Sequence, residues 1–170
     1  MNIFRLDNDP KVCAKYHCDR HLVKMPMEYM AFLTGFKHPL TTWAHESVEN
    51  FTWLLDLSTA VCEEYLFRYG QLHWLAQRFT TINVPEYLVS NSPTEQPYIH
   101  ESNLDRPTGD VVDCYRWLYC NVKFELCTWS FRLPPEWFST ECDPIRYYIG
   151  DKQTFQKLIG ERYARGKSSF

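Results

Sequence analysis

Residues Asp9 to Gly35, DPKVCAKYHCDRHLVKMPMEYMAFLTG, decide the fold class. Asp9 followed by Pro10 is a helix start, an acceptor side chain at the N-cap and a ring that presets φ at the first helical position. At about 100° per residue, His17, His21, Lys24 and Glu28 share one stripe of this helix, while Val12, Val23, Met30 and Leu33 point roughly the other way. Two imidazoles, an ammonium and a carboxylate on one line make a candidate site. Met25 to Leu33 carries no charge except Glu28, so packing this half into a core desolvates the carboxylate and pushes its pKa upward, as suits an acid or base. The stripe fits equally a solvated face on which Glu28 answers Lys24 as an i,i+4 pair. Pro26 removes a helix hydrogen bond and crowds the preceding turn, which places a kink between the two halves.

Working outward, Asn2 to Asp7 reads as an extended lead-in that packs Ile3 and Leu6 against the first helix. Gly35 stops that helix and His38-Pro39-Leu40 turns the chain. Thr41 or Thr42 caps a second helix that runs to about Arg68 and stops at Gly70, with Glu46 and Glu49 at its positive end. Its apolar positions Phe51, Leu54, Leu55, Val61 and Tyr65 recur with a period near 3.6, the pattern of a central strut. Residues 80–107, punctuated by Pro85, Pro93, Pro97 and Pro107, form a long loop that displays Tyr87, Tyr98 and His100, either as a lid or as a passive connection. Thr108-Gly109-Asp110 opens a third long helix to about Ser130, with Arg116 and Lys123, seven apart, on a basic face that fits either phosphate binding or plain solvation. A last helix over Asp151 to Arg162 gives way to a flexible tail, residues 163–170. No run alternates cleanly between hairpin turns. The expectation is a mainly α protein, a compact single-domain helical bundle over residues 1–170 with a long Pro-rich loop.

A chain of 170 residues that is 45% hydrophobic and 16% aromatic can bury a substantial core. The formal net charge of −3 means that a nucleic-acid ligand has to be held by local basic surface rather than by the field of the whole molecule. The C-terminal segment from Asp151 is the basic end. Seven cysteines, with Met1 leading into a polar segment, predict an intracellular, reduced protein, and no apolar run predicts a membrane span. A monomer is favoured.

Cys13, His17, Cys18 and His21 raise the question of zinc. Ligands at i, i+4 and i+8 of a straight helix span about 12 Å, too far for one tetrahedral ion, so no metal and no other cofactor is expected. Cys114, Cys120 and Cys127 also lack ligand spacing, and no Gly-rich phosphate loop, GxSxG or HExxH occurs.

Asp19-Arg20-His21-Leu22, with Glu28 seven residues beyond His21, resembles the first helix of the small phage and algal-virus pyrimidine-dimer DNA glycosylases of the endonuclease V repair type, which carry Asp-x-His-Leu and a catalytic Glu at that spacing. Leu54, Glu64, Arg68 and Gly70 are similar to that family's second helix, and Arg146-Tyr147-Tyr148-Ile149-Gly150 resembles its DNA-contacting segment. The matches cover about a third of the chain, in the same order. The resemblance implies a metal-free helical enzyme on double-stranded DNA, in which an amine attacks C1′ to give a Schiff base and Glu28 assists sugar opening and elimination. It implies a DNA contact from His21 beside Glu28, and contacts from Arg146, Tyr147 and Tyr148; His17, on the same stripe as His21, is a candidate substrate contact. The family uses an N-terminal amine freed by methionine removal before Thr. Asn2 disfavours that removal, which leaves Lys24 as the amine of the stripe. The family's basic neighbours of the glutamate are Met27 and Ala31 here. Trp129, Arg132, Pro135 and Trp137 also resemble the end of uncharacterised bacteriophage proteins, implying a viral origin and a host-cytoplasmic location. The other reading is a non-catalytic binding or virion-associated protein built on a buried His/Lys/Glu network.

Overall fold

The computed structural model describes residues 1–99, 109–138 and the backbone of 148–149. The fold is mainly α. Among the described residues six helices follow one another: α1 (Pro10–Tyr16), α2 (Asp19–Leu33), α3 (Pro39–Ala44), α4 (Val48–Tyr69), α5 (Ala76–Phe79) and α6 (Val111–Asn121). A 3₁₀ turn, Phe124–Leu126, leads to β1 (Trp129–Ser130), which pairs in parallel with β2 (Tyr148–Ile149).

The start signal at Asp9 works as its residue types dictate, the carboxylate accepting from the Lys11 and Val12 amides. The expected single helix from Asp9 to Gly35 is instead two. The break falls at His17 and Cys18, both extended, and not at Pro26, which lies inside α2. Tertiary partners explain the break. The Asp19 amide is drawn to the Thr128 carbonyl (2.8 Å), and the Asp19 carboxylate collects the Ser130 amide (3.0 Å) and the Thr128 and Ser130 hydroxyls (3.0 and 2.8 Å). These contacts hold residues 18–19 off the axis of α1.

Two further boundaries differ from expectation. His38 and Pro39 start a separate short helix, and the long helix begins later, at an N-cap Ser47 whose hydroxyl accepts the Asn50 amide (3.1 Å). Glu46 therefore precedes that helix, and only Glu49 lies in its first turn. The third helix ends at Asn121, where the Leu118 carbonyl takes the amides of both Val122 and Lys123 and the backbone turns out of the α geometry. Arg116 and Lys123 consequently do not share a helix face.

Helix α4 is the strut, lying against α1 and α2 and touching α3 and α5. Phe51, Leu54 and Val61 are buried on it as expected, but Leu55 and Tyr65 are only half-buried and the inner face also carries Ser58, Glu64 and Arg68. Gly70 ends it with φ 67°, left-handed backbone that glycine adopts without a Cβ penalty. The N-terminal segment is extended and buried through Ile3, Phe4 and Leu6. The Cys13 thiol ties it to α1, accepting the Leu6 amide and donating to the Phe4 carbonyl (both 3.3 Å). Residues 80–99 are irregular, as expected of the loop, and are fastened to the helices. Trp43 Nε1 donates to the Thr94 carbonyl (3.1 Å), and Gln96 Nε2 donates to the Ile3 carbonyl (2.8 Å). His100, the last helix and the tail lie outside the described residues. None of the described helices is long and apolar enough to cross a membrane.

Candidate functional site

Helix α2 and the N-terminal segment together wall a cleft of about 360 Å³. Lys24 and Glu28, one turn apart on α2, meet in an ion pair of 2.8 Å between Nζ and Oε1. The second carboxylate oxygen, Oε2, accepts the main-chain N–H of Asn2 at 2.6 Å. Glu28 is buried, as its apolar surroundings in the sequence suggest, with each oxygen engaged by a nitrogen donor, while the Lys24 side chain is 58% exposed at the rim. A carboxylate out of bulk water between two donors keeps a fixed orientation, which a group that moves protons requires.

His21 is the third wall. Its ring stacks on Phe4 at 4.3 Å between centroids with 16° between planes, and its Nδ1 shares a short hydrogen bond with the Tyr119 hydroxyl. Burial raises the Tyr119 hydroxyl well above the ordinary value for a phenol, so it stays protonated and holds the imidazole by that nitrogen. Lys123 stands over the Phe4 ring, its ammonium 5.6 Å from the ring centre. Arg20, Met1 and Ile99 complete the rim. Three cationic side chains, Arg20, Lys24 and Lys123, thus line the cleft that holds the buried Glu28 carboxylate.

His17, Lys24, His21 and Glu28 were expected on one stripe, and the structure divides them. Because the chain breaks at residues 17–18, His17 turns inward and is fully buried. Its Nδ1–H donates to the Cys13 carbonyl (2.8 Å) and its Nε2 accepts the Tyr29 hydroxyl (2.9 Å), so both ring nitrogens are satisfied in the neutral form. Its ring still touches that of His21, 6.4 Å away between centroids. Arg116, a further expected phosphate contact, instead pins the N-terminal segment: Nε donates to the Leu6 carbonyl (2.9 Å) and Nη2 pairs with Asp7 (3.0 Å). Neither His17 nor Arg116 lines the cleft. Lys123 does. Arg146 and Tyr147 lie outside the described residues, as does the side chain of Tyr148, whose backbone forms β2. Among the described residues no group of three or more His, Cys, Asp or Glu side chains is placed to hold a metal ion.

No protein-family model, curated protein or solved structure matches the chain.

Several of its residues carry no sequence signal. Asn2 and Phe4 sit in a segment too short for periodicity, and Tyr115 and Tyr119 look like ordinary apolar positions of α6. His38 belongs to the surroundings as well. Its ring lies on Phe32 (5.0 Å), one turn along α2 from Glu28, and its pKa is lowered by burial and then by the positive N-terminal amine, with Glu28 opposing. The N-terminal amine thus belongs to the same electrostatic neighbourhood as Glu28.

The neutral His17 has a measurable consequence. Burial pushes its pKa down from 6.5 to about 3, the Cys13 carbonyl acting weakly the other way. Between these two values the unfolded chain takes up a proton that the folded chain refuses, so stability rises with pH across the window and is lost as pH falls. Urea titrations at pH 7 and pH 4 should show the wild type losing about 3 kcal/mol more than His17→Gln over that interval. Parallel losses in the two proteins would show that His17 is not held neutral by the fold.

Proposed function

We propose that the chain is a DNA-processing enzyme of the glycosylase/lyase type, acting on a damaged or modified nucleotide through a Schiff base, with Lys24 as the amine and Glu28 as the proton-transfer group. What supports this reading most is the arrangement at Glu28, a buried carboxylate 2.8 Å from a rim lysine in a cleft bordered by Arg20 and Lys123. An amine beside a carboxylate is what imine chemistry at a sugar needs. The Lys24 ammonium passes a proton to Glu28 and the freed amine attacks C1′, forming the C–N bond as the base departs with its bonding electrons and takes up the second proton that the attacking nitrogen sheds. Glu28 returns the proton to O4′ as the sugar ring opens to the iminium. The carboxylate then takes a proton from C2′, and the C3′–O bond breaks to release the phosphate-bearing strand. In this reading Arg20 and Lys123, which line the cleft, hold the phosphates, and His21, fixed by Tyr119 and Phe4, contacts the nucleotide. The viral origin and double-stranded DNA as partner belong to the same proposal.

A duplex containing one abasic site is the direct substrate. Strand scission at that site above the protein-free rate is the expected result, and its absence with every lesion tried would leave the non-catalytic binding protein as the better reading. Binding of the same duplex should weaken with salt at a log–log slope of about −0.9 for each phosphate neutralised, hence roughly −2 to −3 for the cations of the rim. A salt-independent affinity, or none at low salt, would count against DNA as the ligand.

A further inference from the structure

Asn2 is held from parts of the chain that lie far away in sequence. Its Nδ2 donates to the Ile99 carbonyl (2.7 Å), while its Oδ1 accepts the Tyr115 hydroxyl (2.5 Å) and the Ile3 amide (2.9 Å). The Tyr115 oxygen in turn accepts the Ile99 amide at 3.2 Å, which closes a ring of hydrogen bonds around the carboxamide. Tyr115 is fully buried on α6 and burial raises its hydroxyl well above the ordinary phenol value, so that hydroxyl remains a donor. The next residue, Arg116, holds Leu6 and Asp7. Helix α6 therefore fastens the N-terminal segment at both ends. The main-chain N–H of residue 2 points out of this ring and meets Glu28 Oε2. With Oε2 occupied, Oε1 is the oxygen presented to Lys24.

We propose that Tyr115 is a positioning residue for Glu28 that acts through Asn2: the hydroxyl orders the carboxamide, the ordered residue aims its N–H at Oε2, and the carboxylate is thereby locked with Oε1 toward Lys24 and the sugar. The inference rests on the reading of Glu28 as the working carboxylate. It assigns a role on the reaction to a tyrosine that does not line the cleft.

The test is single-turnover cleavage of abasic-site duplex by Tyr115→Phe, by Glu28→Gln and by the double variant. Tyr115→Phe should lower the rate constant roughly 10- to 100-fold, the scale of a misaligned catalytic group, with DNA affinity within about twofold of wild type. In the Glu28→Gln background the same change should cost less than about twofold, because the pathway through Glu28 is already gone. A merely structural tyrosine would lower the active fraction instead, and by the same factor in both backgrounds, which would overturn the proposal. The Asn2 amide resonance in an ¹⁵N-labelled protein gives a readout without DNA. It should lie downfield in the wild type and move upfield in both Tyr115→Phe and Glu28→Gln. An Asn2 amide that does not respond to Tyr115→Phe would refute the positioning role even if the enzyme is active. A responsive amide in a protein that cleaves nothing would retain the clamp and discard the enzyme.

Discussion

Arg68→Met should cost about 3–5 kcal/mol of folding stability, enough to bring a domain of ordinary stability close to unfolding. The Arg68 side chain is 0% exposed, and each of its nitrogens has a partner. Nη1 pairs with Asp19 (2.9 Å), Nε with Glu64 (2.7 Å), and Nη2 donates to the Lys15 carbonyl (2.9 Å). Methionine fills much of the same space, so the loss measures the carboxylates left behind rather than a cavity. Glu64 keeps Arg132, which grips both its oxygens (2.5 and 2.8 Å). Asp19 keeps only the uncharged donors of Thr128 and Ser130. This one guanidinium joins α1, α2 and α4, so its removal should loosen the platform from which Lys24 and Glu28 project. Urea unfolding at neutral pH is the measurement, and a loss below about 1 kcal/mol would mean that the cluster contributes no net stability.

The same cluster marks where sequence reading stops. Glu64 and Arg68 are four apart on one helix, so their pairing follows from the sequence, as do the Asp9 cap, the Gly70 stop and the Lys24–Glu28 pair. Local geometry alone settles each of these. Asp19 and Arg68 are joined across 49 residues, Asn2 and Tyr115 across 113, and His21 and Tyr119 across 98. No periodicity announces such contacts. The same limit explains the misplaced break in the first helix. Pro26 is the local signal for disruption, but the pull of Thr128 and Ser130 on Asp19, more than a hundred residues on, is what divides the helix at residues 17–18. His17 thereby left the stripe for the core, and the N-terminal segment took its place in the wall of the site.

Lys24→Ala should abolish covalent capture of DNA, and Glu28→Gln should keep the capture while slowing strand release by about 10²–10⁴-fold, the range for a positioned proton-transfer group. The two effects differ because Glu28 moves protons, which water also moves at a lower rate, whereas Lys24 is the amine that forms the bond. Lysine supplies the electron pair that forms the C1′–N bond, and nothing replaces it in the alanine variant. Glutamine preserves the size of residue 28 and an acceptor for the Asn2 amide, yet it cannot take the C2′ proton. Lys24 is largely exposed, but its removal leaves the buried Glu28 Oε1 without its partner, so stability should fall by about 1–3 kcal/mol. Activity is therefore compared at equal folded fraction, checked by urea unfolding. The N-terminal amine is the competing nucleophile, since Met1 lines the same cleft. Should capture survive Lys24→Ala and vanish when the terminus is blocked, the terminal amine is the nucleophile and Lys24 a phosphate contact.

Borohydride reduction during incubation with abasic-site duplex tests the Schiff base directly, because the imine becomes a stable amine and its position can be read by peptide mass. The expected result is a protein–DNA adduct on Lys24 in the wild type, retained in Glu28→Gln and absent in Lys24→Ala. No adduct on any amine, with any damaged or modified DNA, would contradict the proposed chemistry.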